Sequence, residues 1–117
     1  MDDKAKAIVV RLISNGEAEK ALELLAEHFG VTVPKFKVGL PKGRKRNSLG
    51  CYSPNSKTIS VLSSDVVKNP FVVLHEFYHH LRTTVDLKHR GTEKNADKFA
   101  NEFLQAYASV VKETQNK

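Results

Sequence analysis

With 117 residues, 40 % of them hydrophobic, the chain is the length of one domain with a modest core and has no room for a second. A single cysteine, Cys51, excludes an internal disulfide framework and a cysteine-rich metal knuckle, and fits a reducing, cytoplasmic setting. The formal charge of +6 and a pI near 9.5 admit nucleic acid as a partner, yet much of the excess is confined to Lys42-Gly43-Arg44-Lys45-Arg46, without interleaved aromatics for base stacking.

In chain order, Ile8, Val9, Leu12 and Ile13 stand at helical spacing between Ala5 and Ile13, and Asn15-Gly16 is a stop signal. Arg11 breaks the apolar run from Ala7 to Val10, and Asp2, Asp3 and Lys4 precede it, so no secretory signal is expected. A second helix is predicted from Glu17 to Phe29, with Ala21, Leu24, Leu25 and Phe29 on one stripe and Gly30 just past its end. His28 reads as a partner of that helix's dipole and not as a ligand. From Val31 the pattern becomes β-branched. Pro34, between Val31 and Val33 on one side and Phe36 and Val38 on the other, suggests an edge strand or a bulge in place of a central strand. Leu49–Tyr52, the turn-like Ser53-Pro54-Asn55-Ser56 and Lys57–Leu62 read as a hairpin. A small sheet of three strands, mostly antiparallel, is expected.

Asn69-Pro70 opens a third helix, asparagine as N-cap and proline in the first helical position. At about 100° per residue, Val73, Leu74, Phe77, Leu81 and Val85 fall on one side of it. His75 and His79 fall nearly opposite, beside Arg82 and Asp86. One face is expected to pack on the sheet and the other to present histidines to a cleft. After a linker over Leu87–Gly91, Thr92 can cap a fourth helix, whose apolar stripe runs from Ala96 to Val111. No run approaches the ~18 apolar residues that span a bilayer, so no membrane partner is expected.

The third helix contains His75-Glu76-Phe77-Tyr78-His79, a His-Glu-x-x-His run. Residues four apart on a helix stand one above the other, so the two imidazoles can take two corners of a tetrahedral zinc site. Glu76, rotated about 100° away, lies beside the metal, where a carboxylate can deprotonate a water activated there. A catalytic zinc site needs a third protein ligand. Glu93, at the start of the next helix, suits that role if a short connection sets the two helices face to face. Asp97, one turn further, can accept the second N–H of His75 or His79 and so fix its tautomer. His80 points about 140° from His75 and is not expected on the same metal. Cys51 reads as a buried, inert thiol.

His-Glu-x-x-His followed by Glu-x-x-x-Asp in a later helix resembles the gluzincin metallopeptidases. The short length, the preceding hairpin and Glu93-Lys94-Asn95-Ala96-Asp97-Lys98-Phe99-Ala100 are similar to the minimal single-domain members, the minigluzincins. The resemblance covers residues 31–112. It implies a zincin-like α+β fold with a catalytic core (31–112), which the N-terminal helices read above (1–30) precede and a polar tail (113–117) follows, one domain over 1–117. It implies His75, His79 and Glu93 as zinc ligands, Glu76 as general base and Asp97 as support for a ligand. It also implies a zinc-dependent peptidase, active or latent, that binds extended peptide along a sheet edge near Leu49–Tyr52 or Lys57–Leu62. Tyr52, Tyr78 and His89 are candidate substrate contacts. These three, with Arg82 and Arg90, are by type the candidate electrophiles for a tetrahedral intermediate. The alternative expectation keeps the metal without catalysis, as a metal-stabilised regulatory or nucleic-acid-binding module using residues 42–46.

Overall fold

The computed structural model describes residues 1–42, 48–85 and 91–115, with side chains to residue 113. Four helices and a three-stranded mixed sheet make up an α+β fold. Helix α1 (Asp3–Ser14) starts two residues earlier than its apolar periodicity indicates, because the Asp2 side chain accepts from Ala5 N–H at 2.8 Å and caps it. Helix α2 (Ala18–Phe29) ends as expected at Gly30 in the left-handed conformation. The two helices bury Val9, Val10, Ile13, Ala21, Leu22 and Leu25 in a core shared with the rest of the chain.

Strand β1 (Lys35–Val38) begins only after Pro34 and lies at the sheet edge. Strands β2 (Gly50–Ser53) and β3 (Thr58–Val61) form the expected hairpin. The strand order is β1-β3-β2, with β1 parallel and β2 antiparallel to β3. Antiparallel pairing therefore holds for the hairpin alone. Its short turn enforces that direction, whereas β1 reaches β3 without a tight turn between them and is free to pair in parallel.

A 3₁₀ turn at Val66–Lys68 leads into helix α3 (Pro70–Val85), where the Asn69 side chain accepts from Val72 N–H at 3.3 Å as an N-cap. Helix α4 (Glu93–Gln115) is capped by Thr92, whose hydroxyl accepts from Asn95 N–H at 3.0 Å. Helix α3 packs on β2 and β3 on one side and on α4 on the other, and α1 backs α4. Ala96 and Ala100, both fully buried, keep α4 close to α3. An aromatic seam of Phe77, Tyr78, Phe99 and Phe103 runs between them, with ring centroids 5.0–6.4 Å apart.

Helix α3 is consequently enclosed on more sides than a two-faced pattern anticipates. His79 is fully buried, because α4 lies over the histidine face. Val85, expected on the packing side, is 80 % exposed beyond the reach of the sheet. Among the described residues no helix is long and apolar enough to cross a membrane.

Candidate metal centre

The i, i+4 spacing that stacks His75 over His79 on α3 recurs as Glu93 and Asp97 on α4, and the two pairs meet. Glu93 Oε2 lies 2.7 Å from His75 Nε2, and Glu93 Oε1 lies 2.9 Å from His79 Nε2. One turn further along α4, Asp97 Oδ1 lies 2.8 Å from His75 Nδ1. Contacts fall by four residues on α3 as they rise by four on α4, so the helices run antiparallel.

His75 has a carboxylate at each ring nitrogen. A neutral imidazole carries one N–H, so with Asp97 accepting from Nδ1 the Nε2 lone pair faces Glu93. Two negative or lone-pair groups facing each other at 2.7 Å require a proton or a cation between them. The second imidazole aimed at the same carboxylate makes this a three-residue donor set. One ligand atom from each of His75, His79 and Glu93 lies within 4.8 Å of the others, a group that could hold a metal ion. Nitrogen and oxygen donors of this kind suit several first-row divalent ions.

Exposure is graded across the group. The His79 side chain is 0 % exposed and that of His75 12 %, while those of Glu93 and Asp97 are 69 % and 52 % exposed. The imidazoles form a dry floor and the carboxylates a solvent-facing wall. Glu76 is buried, with Oε2 4.0 Å from His75 Nε2, beside the donor set. Its neighbour on the sheet is Gly50, where an added Cβ would stand 3.4 Å from Glu76 Cγ and 2.7 Å from Val72 Cγ1. Only glycine lets β2 pass this close to the helix.

The other candidates lie elsewhere. Tyr52 turns its side chain into the core, fully buried, and donates its hydroxyl to His80 Nδ1 at 2.7 Å. It therefore offers a site only its main chain. Tyr78 is half-buried, its ring 5.8 Å from that of His79 and its hydroxyl against Gly91. Arg82 is exposed. His89, Arg90 and residues 43–46 of the basic loop lie outside the described residues. Cys51 is buried and unbonded to another cysteine.

His80, set aside as a ligand, is engaged at both nitrogens: Nε2–H donates to the Thr32 carbonyl at 2.8 Å and Nδ1 accepts from Tyr52. Burial holds its pKa below the ordinary histidine value, with the Thr32 carbonyl opposing the shift and Lys57 reinforcing it. Burial likewise raises the Tyr52 phenol, opposed by the Thr83 hydroxyl. No single-residue pattern announces this pairing. A glycine inside a strand pattern does announce a close approach, and at Gly50 that signal was available. Comparison with protein-family models, curated proteins and solved structures finds no match to this chain.

Proposed function

We propose that this chain is a zinc-dependent metallopeptidase of gluzincin type. The observation that carries the reading is the convergence of His75 Nε2 and His79 Nε2 on the Glu93 carboxylate, with Asp97 behind His75. Two histidines and a glutamate are the donor set of hydrolytic zinc, with one position left for water or substrate. Zinc held by His75, His79 and Glu93 would supply a water of pKa about 7 and polarise a carbonyl.

The remaining work falls to the protein. Glu76, buried beside the ligand nitrogens, takes the proton of the attacking water and returns it to the departing amine. Asp97 holds His75 in the tautomer that presents Nε2 to the ligand site. Of the two strands near the expected substrate edge, β3 is central, which leaves β2. Leu62 N–H donates to Leu49 O, so by alternation along an antiparallel ladder the main-chain groups of Gly50 and Tyr52 face away from β3. An extended peptide adding there would pass alongside Glu76, against which Gly50 packs.

Metal analysis of the purified chain beside His75→Ala and Glu93→Ala tests the reading. One zinc per chain, lost in both variants, is the expected result. Equal zinc content in all three would remove its basis.

A further inference from the structure

A buried hydrogen-bond chain joins the sheet to the metal helix on the side away from His75. Tyr52 of β2 donates to His80 Nδ1 at 2.7 Å, and His80 Nε2–H donates to the Thr32 carbonyl at 2.8 Å. A carbonyl can only accept, so Nε2 carries a proton, and in the neutral ring Nδ1 is then the acceptor and the tautomer is fixed. Both side chains are fully buried, so solvent cannot replace either partner. Two residues earlier on the strand, Gly50 lies against Glu76. Positions 50 and 52 share one face of β2, and 76 and 80 share one face of α3. Strand and helix are thus held at two successive points, one at the general base and the other adjacent to a ligand.

We propose that Tyr52 and His80 are positioning residues for the metal centre, setting the axial rotation of α3 against β2 and with it the aim of His79 and Glu76. The proposal rests on the reading of His75, His79 and Glu93 as the ligand set. Apolar packing by Val73, Leu74 and Phe77 is non-directional and tolerates small rotations of the helix. A working constellation tolerates only about 0.5 Å and 10–20°. The two directed bonds at His80 accept one rotation, and because the helix turns as a body, a rotation that breaks them swings His79 and Glu76 by the same angle.

Tyr52→Phe removes one oxygen and keeps the ring. His80→Gln retains an acceptor for Tyr52 and an N–H for Thr32. Zinc affinity by chelator competition and the visible spectrum of the cobalt-loaded protein are the readouts, with circular dichroism confirming the fold. Tyr52→Phe is expected to stay folded, bind zinc about tenfold more weakly and shift the cobalt bands. His80→Gln is expected to bind more tightly than Tyr52→Phe; should it fail to fold, Tyr52→Phe decides alone. Wild-type affinity with an unchanged cobalt spectrum in Tyr52→Phe overturns the proposal. So does a histidine ¹⁵N spectrum of the metal-free protein that places the His80 proton on Nδ1. If the wild type binds no zinc, or His75→Ala binds as tightly, the ligand reading fails and this proposal falls with it, while the ¹⁵N measurement still reports the network itself.

Discussion

Glu76 and Asp97 both stand beside the candidate donor atoms of His75, His79 and Glu93, and their substitutions separate two tasks. On the proposed function, Glu76→Gln keeps the shape and removes the base, so zinc content is expected to stay at the wild-type level while turnover of a peptide falls by roughly 10²–10⁴. Mass-spectrometric counting of cleaved peptide against bound metal measures both, and equal turnover in the variant would exclude Glu76 as the base. Asp97→Ala acts the other way. Losing the acceptor at His75 Nδ1 frees the ring to rotate and to change tautomer, and zinc affinity is expected to drop about 10–100-fold. Gly91 carries a third residue-level demand. Its φ of 79° lies in the left-handed region, and an added Cβ would stand 2.5 Å from Tyr78 Cε2. Gly91→Ala should destabilise the fold by at least about 1–3 kcal/mol in denaturant unfolding, because neither the backbone nor the ring can yield without moving the start of α4.

At the scale of elements, α3 and α4 form the site as an antiparallel pair, and β2 braces α3 from the opposite side. The brace has its own pH signature. The pKa of His80 is lowered in the folded chain, chiefly by burial, so the unfolded chain binds a proton that the folded chain refuses. Its contribution to stability is complete above the unfolded value near 6.5 and declines as pH falls below it. Thermal unfolding of chelator-treated protein should therefore lose Tm between about pH 7 and 5 more steeply in the wild type than in His80→Gln, which cannot titrate there. Parallel profiles for the two proteins would show that burial of His80 does not govern this range.

At the scale of the molecule, metal binding and folding are linked wherever the ligand atoms come from two helices. Zinc at about 100 times its Kd would add about 2.7 kcal/mol to stability, a rise in Tm on the order of 10 °C that EDTA reverses and His75→Ala lacks. An unchanged Tm with saturating zinc would mean that the pair of helices is not bridged.

Much of this chain was legible from neighbours within a turn or two. Asn69-Pro70 and Thr92 mark helix starts, Gly30 a helix end, and the spacings 75/79 and 93/97 each place two ligating or supporting groups on one helical face. These features depend on backbone geometry and capping, which are local. Antiparallel approach of α3 and α4 turned the two spacings into a single donor set, and that approach depends on packing of Ala96, Ala100 and the aromatic seam. The parallel β1–β3 pairing, the cover of α4 over His79 and the outer position of β2 in the sheet were likewise decided in three dimensions. Clearest of all is His80, whose partners lie 28 and 48 positions away. The sequence determined that His80 stood next to the candidate donor His79 on α3; only the tertiary structure decided its partners, because a hydrogen bond across such separations exists only once the whole core has closed around it.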